Sequence, residues 1–427
     1  MKRSIQWPFG GRLLNMLIAT FVLVAVLAVG LNAIVASRLI SEYLLNAQTD
    51  RLGRDLDLAN GYYAQKTNEV VSISQFVALD TQTEAYLPTA LDGVNTSIQT
   101  IDQVVGRMIS VPFFSGTRMV MVLNAQGRIL TGRSITSSGT TAHATPGEDW
   151  SQLPIVAQAL YTKNSITGTE VIPVEYLADA GLDAQAHIIT QDTPKSSPRP
   201  YDDREGTAGL AIAGVYPLSD INGKSSGVVL SAYLFNNDFT MVDYIKNQAK
   251  VETMTIFLGD LRVSTNVTDE NGERAVGTRV SQDVFQRVLV QGENYSGRVF
   301  VVNSWYIGSY EPLRDFRDDV VGMMYVGVRE TIFKGLMEAF NIRAAWIAFV
   351  CILVGAVIAI PIARLITRPI AGLVEANRRL ARGDMTVRVE PKGKGEIALL
   401  GRSFNNMVET LRETEKELMH RERLASV

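Results

Sequence analysis

Five stretches between residues 253 and 328 decide the reading: TMTIFLGDLRVSTNV (253–267), SQDVFQRVLVQG (281–292), GRVFVVN (297–303), WYIGSYEPL (305–313) and VVGMMYVGV (320–328). The first is a β-rich run folded back at Gly259–Asp260, where glycine supplies the positive φ that a tight hairpin turn requires. The second carries apolar residues at helical spacing. The last three are rich in β-branched and aromatic residues and read as strands. The order is hairpin, helix, three antiparallel strands.

The same order recurs upstream. RMVMVLNAQGRILTGRS (118–134) is a hairpin turning near Gly127, and a helix is expected over 150–163. Then come GTEVIPVEY (168–176), AGLAIAGVYPLSD (208–220) and SGVVLSAYLF (226–235), the last two joined by the turn SDINGKSS (219–226). NNDFTMVDYIKNQAK (236–250) joins the two units as a helix. The expected fold class is α+β, with a repeated five-stranded antiparallel-sheet unit. Before both lies 37–79, where Leu39, Tyr43, Leu52, Leu56, Ala59, Tyr63, Val70 and Val77 recur at about helical spacing. That run reads as a long stalk helix serving as a spine.

Two uncharged stretches, Leu13–Ala36 and Ala344–Ala363, reach the roughly 20 residues a helix needs to cross a bilayer. The first is too long for a secretory signal core, which spans about 7–15 residues, and no small-residue cleavage site follows it. Lys2, Arg3 and Arg12 precede it; Arg364, Arg368, Arg378, Arg379 and Arg382 follow the second. Basic flanks stay in the cytoplasm, so residues 37–343 are expected outside and the protein in a bacterial inner membrane. Trp346 suits the outer interface, and Pro361 is a site for a kink.

Composition excludes several chemistries. The net charge of −3 gives no nucleic-acid-binding excess. One cysteine, Cys351, lies in an apolar run, and His143, His187 and His420 lack ligand spacing, so no metal site or thiol nucleophile is expected. No catalytic triad, paired-carboxylate motif or phosphate loop is visible. PKGKGE (391–396) lacks Walker spacing and reads as a connector.

Residues 255–328 resemble the membrane-proximal half of a double Cache sensor, the type found in bacterial kinases and chemoreceptors; 209–239 resemble the closing strands of the distal half. The resemblance covers most of 37–335 and implies an extracytoplasmic small-molecule sensor. The loop AHIITQDTPKSSPRPYDDREGTAG (186–209) reads as a surface insertion or as a flap over a distal pocket lined by Tyr176, Tyr201, Arg204, Tyr216 and Asp238. Arginine and tyrosine there suit a carboxylate, but the distal half lacks the Arg-x-Trp-Tyr arrangement of amino-acid-binding relatives. The proximal candidates are Arg298, Asn303, Trp305, Tyr306 and Tyr310. Alternation puts Trp305 and Tyr306 on opposite faces, and Tyr306 and Tyr310 together. Aromatic core packing is the alternative use for them.

After the second span, Ile370, Leu373, Ala376 and Leu380 mark a helix that breaks at ARGD (381–384), and Val387 and Val389 are placed to pack from the connector. Ile397, Leu400, Phe404, Met407 and Leu411 form a heptad seam. This pair resembles a HAMP domain: Pro369 matches its early proline and Glu396 the glutamate opening its second helix, while Gly395 and Ala398 stand where Asp and Gly are usual. A homodimer would complete a four-helix bundle. RERLASV (421–427) resembles the start of the helix that leads into the phosphoacceptor of sensor histidine kinases, and His420 is not that acceptor.

The division expected is thus a cytoplasmic N-terminus (1–12), first span (13–36), stalk and distal unit (37–250), proximal unit (251–335), second span (344–363), HAMP (364–418) and the start of a signalling helix (419–427). The expected function is the input half of a sensor histidine kinase. The kinase module, with its ATP, Mg²⁺ and response regulator, would lie outside these residues. The input half of a methyl-accepting chemoreceptor or of a cyclic-dinucleotide enzyme is the alternative.

Overall fold

A computed structural model describes residues 10–111, 115–220, 223–391 and 395–425. The first nine residues, most of the expected cytoplasmic N-terminus, lie outside that description. So do 221–222 of the turn at 219–226, 392–394 of the connector and the last two residues. The chain divides into two compact units, Tyr43–Lys334 and Met1–Glu42 with Gly335–Val427.

In the first unit, helix α1 (Gly10–Ala78) supplies the spine. Leu52, Leu56 and Ala59 recur every three to four residues and are buried against Ile256, Val263, Met324 and Val326 of the later sheet. Farther along, Ile73 and Val77 are buried against Val120, Val122 and Val229 of the earlier one. One helical stripe thus serves two sheets, each fully buried aliphatic side chain adding about 1.5–3 kcal/mol. Contact is close: a Cβ added at Gly214 would lie 2.7 Å from Val71 Cα.

Two helices absent from the sequence reading follow, α2 (Thr81–Leu91) and α3 (Asn95–Ile109). Asp80 caps α2, accepting from the Gln82 N–H at 2.9 Å. The earlier sheet is built from β1 (Arg118–Asn124), β2 (Ile129–Ile135), β3 (Thr141–His143), β4 (Ile166–Ile172), β5 (Gly209–Ser219) and β6 (Ser225–Leu234), in the order β3-β2-β1-β6-β5-β4. It has one strand more than expected, because β3 adds to the free edge of β2. Helix α4 (Pro154–Thr162) is where expected, but 168–176 is not one strand: β4 ends at Ile172, and Pro173 opens the short α5 (Val174–Asp179), followed by α6 (Asp183–Ala186). Strand alternation sends Val120 and Val122 toward α1 and α3, and Met119, Met121 and Leu123 toward Trp150, Ile155 and Leu177.

Helix α7 (Thr240–Ala249) leads to the second sheet: β7 (Thr253–Leu258), β8 (Leu261–Thr265), β9 (Tyr295–Val301), β10 (Ser304–Arg314) and β11 (Val320–Arg329), ordered β8-β7-β11-β10-β9. All its pairings are antiparallel, and Leu258 pairs with Leu261 across the Gly259–Asp260 turn, where Gly259 has φ +52°. The expected helix at 281–292 is a short α8 (Gln282–Val284) that widens into a π-helical segment, Phe285–Val290.

In the other unit, α1 and α9 (Glu330–Ala381) are long and apolar enough to cross a membrane. Ser37 Oγ lies 3.0 Å from Asn341 Oδ1. Helix α9 runs through Pro361 and Pro369 without a break and ends at Ala381, with Gly383 at φ +88°. Helix α10 (Glu396–Ala425) starts at Glu396. Val387 packs between the two helices with Ala376, Phe404 and Val408, and Val389 lies against that cluster.

Candidate functional site

The structure does not bring the five distal candidates into one pocket. Tyr176 sits on α5 with its ring edge-on to buried Trp150, 5.3 Å between centroids. Tyr216 lines a groove of about 300 Å³ with Glu84, Lys163 and Ser219. Asp238 is fully buried, accepting from the Tyr233 hydroxyl at 2.9 Å, the Thr240 N–H at 2.9 Å and the Thr117 N–H. Three donors to one carboxylate make it a structural knot at the entrance to α7.

Tyr201 and Arg204 lie in the 186–209 insertion, which does not cover the distal sheet as a flap. It runs across the proximal unit as a strap. The Gln191 N–H donates to Gly277 O at 2.8 Å, the Arg279 N–H to Thr193 Oγ1 at 2.9 Å and the Gln282 N–H to Lys195 O at 2.8 Å. Lys195 Nζ stands 4.4 Å from the Trp305 ring centroid and 4.6 Å from that of Phe300. The Tyr201 N–H donates to Asp260 Oδ1 at 2.9 Å and its hydroxyl to Val320 O at 3.0 Å, so this tyrosine belongs to the proximal unit. Arg204 is spent on Asp202, at 2.6 Å from Nη2 to Oδ2.

At the end of the strap, Arg279 Nη1 bonds both Glu205 Oε2, at 2.6 Å, and Asp260 Oδ1, at 2.8 Å. Both carboxylates are buried, and among the described residues Asp260 Oδ2 has no hydrogen-bond partner. Burial, then the hydrogen bond to and repulsion from Asp260, push the Glu205 carboxyl up to about 8. A similar contact joins β4 to the β10–β11 loop: buried Glu170, with Oε1 unpartnered, is pushed up to about 8 by burial and then by Asp315.

The proximal candidates divide. Arg298 pairs with Glu330, 2.9 Å from Nε to Oε1, and its guanidinium stacks 4.0 Å from the Trp305 ring centroid. Asn303 is in the β9–β10 turn, beside Ser304. Tyr306 and Tyr310 share a buried face with Phe257 and Tyr325, the Tyr306 hydroxyl accepting from Arg329 Nε at 2.8 Å. Burial pushes both Tyr310 and Tyr325 well above the ordinary tyrosine range, so they stay protonated.

A residue missed in the sequence lies beside them. Arg262 is 1% exposed, with its guanidinium 5.0 Å from the Phe257 ring centroid. Among the described residues its side chain donates one hydrogen bond, to Thr278 Oγ1, and Nε has none. Burial lowers its pKa, opposed by the hydroxyls of Tyr310, Tyr325 and Tyr306 rather than by any carboxylate. Guanidinium stays charged, so this is a buried cation with no carboxylate partner among the described residues. Regular pairing next to the Gly259–Asp260 turn turns it inward: Leu258 pairs with Leu261 and Phe257 with Arg262, so Arg262 shares the buried face of Phe257, and the bulge at Val263 comes only after it.

In the second unit, Phe404 is buried while Leu400, Met407 and Leu411 are exposed along the heptad seam. Pro369 lies inside α9, and Glu396 opens α10.

Residues 233–340, from the end of β6 through the five-stranded sheet into α9, match the family described as single cache domain 3, and residues 362–413 match the HAMP domain. The chain thus carries a Cache-type region and a HAMP region, together with two helices long and apolar enough to cross a membrane. It is 33% identical over 91 residues to the methyl-accepting chemotaxis protein McpC of Bacillus subtilis, covering 21% of this chain and 13% of that protein. It is 26% identical over 198 residues to the sensor histidine kinase WalK of the same organism, covering 45% and 31%. The chain therefore spans under a third of the length of either. The sensor domain of the Vibrio cholerae histidine kinase DctB aligns at a TM-score of 0.38 and 10% identity, covering 66% of this chain and 98% of its own.

Proposed function

We propose that these residues are the input half of a homodimeric sensor histidine kinase in a bacterial inner membrane. It would bind a small extracytoplasmic carboxylate and pass the signal to a cytoplasmic kinase module and its response regulator. The observation that carries this reading is continuity. Strand β11 ends at Arg329 and α9 begins at Glu330, and that one helix reaches from the Cache match into the HAMP match. A displacement of the sheet edge thus has an unbroken element along which to act. The exposed seam of Leu400, Met407 and Leu411 supports a parallel dimer. The longer alignment to a kinase, 198 residues against 91, supports kinase output. Arg262, a buried cation awaiting an anion, supports a carboxylate ligand. ATP and Mg²⁺ belong to the output module.

The test is phosphorylation. Full-length protein in vesicles, given labelled ATP and Mg²⁺, is expected to acquire acid-labile, alkali-stable phosphate at a rate that small carboxylates change. Chemoreceptor relatives favour a second reading, which a lack of phosphate together with ligand-dependent glutamate methylation would establish instead.

A further inference from the structure

The strap and its anchoring carboxyl pair have no part in the signal relay just described. The strap is a loop of the distal unit lying on the cover of the proximal one, held by backbone bonds from Gln191 to Gly277 and Lys195 to Gln282. Its far end depends on two buried acids sharing one guanidinium nitrogen. Two carboxylates and one arginine leave a net negative charge in a buried place, and Asp260 Oδ2 has no donor to accept from. A single proton resolves both defects: it cancels the excess charge and supplies the missing hydrogen between the two carboxyl groups.

We propose that the strap 190–205 is a proton-operated clasp, in which one proton shared by Glu205 and Asp260 holds this distal-unit segment on the proximal unit and its loss lets the strap lift. The charged groups facing Glu205 are few. Asp260 comes from the β7–β8 turn and Arg279 from the cover. On the strap itself, Asp202 donates its N–H to Glu205 Oε1 at 3.2 Å while its carboxylate is held by Arg204. The Tyr201 hydroxyl is turned away to Val320 O. Of these, only Glu205 holds its proton near neutrality.

The direction follows from linkage. The closed strap holds the proton up to about pH 8, whereas in the lifted strap Glu205 returns toward the ordinary 4.5. The opening equilibrium therefore rises roughly tenfold per pH unit between those values and levels off above them.

The experiment is hydrogen exchange on the full chain in nanodiscs, read at residues 188–206 and 274–282 and corrected for the intrinsic pH dependence of exchange. Protection in the native protein is expected to fall roughly tenfold per unit from pH 6 to pH 7.5. In Glu205→Gln, whose neutral amide stands for the protonated acid, protection should be flat, and likewise in Asp260→Asn. Flat protection in the native protein overturns the proposal. So does an undiminished pH slope in both variants, or a strap unprotected in both at every pH.

Discussion

Asn405 grips Val389 by both ends of its peptide backbone: Oδ1 accepts from the Val389 N–H at 2.9 Å and Nδ2 donates to the Val389 carbonyl at 2.7 Å. This amide on α10 thereby acts as a strand partner for one residue of the HAMP connector, and it keeps neighbouring Val387 seated between the helices. Asn405→Ala removes both bonds at a cost of about 1–3 kcal/mol. The Val389 amide should then exchange at least tenfold faster, with helix content unchanged by circular dichroism.

Two residues of the heptad seam have different surroundings. Phe404 is packed within its own chain, while Leu400 is 57% exposed. Leu400→Glu should leave the HAMP helices folded but shift sedimentation toward monomer. Phe404→Glu buries an unpaired charge and should unfold the helix pair itself.

Arg262→Met tests whether the buried cation exists for a ligand. Replacing an unpaired buried charge by an apolar chain of similar length should leave the melting temperature of the empty protein unchanged or higher. Affinity for small carboxylates should fall roughly ten- to a hundred-fold, the loss expected for a charged hydrogen bond. A lower melting temperature would assign Arg262 to the scaffold.

The second acid contact gives a pH dependence of stability. Glu170 has a carboxyl raised in the folded protein from 4.5 to about 8, so folding favours its protonated form. Its contribution is intact below pH 4.5 and is lost progressively as pH rises to about 8. Thermal melts across that window should show the unit Tyr43–Lys334 weakening with alkalinity, and Glu170→Gln should flatten the slope.

Trp150 is fully buried and donates from Nε1 to Asp179 Oδ2 at 3.0 Å. Trp150→Ala should destabilise this sheet-bearing unit by about 3–5 kcal/mol. The check is a lower melting temperature in a calorimetric scan.

How much of this was legible depended on the range of the interactions involved. The hairpin at Gly259–Asp260, the break at Gly383 and the start of α10 at Glu396 are local matters of turn and cap chemistry, and each lies where the residues indicate. Helix α3 was legible but overlooked: Ile101, Val105 and Ile109 recur at helical spacing and are all buried. The strap was not legible, because partners such as Thr193 and Arg279 are 86 residues apart and its polar composition reads equally well as a free loop. Nor was Arg262, since an arginine in a strand reads as solvent-facing, whereas β8 is buried along its whole length. Tyr306 and Tyr310 do share a face as alternation requires, yet that face also houses Phe257 and Tyr325, which alternation alone could not show.

The junction at Arg329–Glu330 has no slack, and this makes rotational phase a constraint on the sequence of α9. Each residue of an α-helix advances its faces by about 100°, so one residue inserted between Glu330 and Ala381 would re-aim every side chain beyond it. A seven-residue insertion would nearly restore the original azimuth. Grafting this sensor onto a foreign output domain should therefore succeed or fail with a heptad period, whatever the chemistry of the ligand.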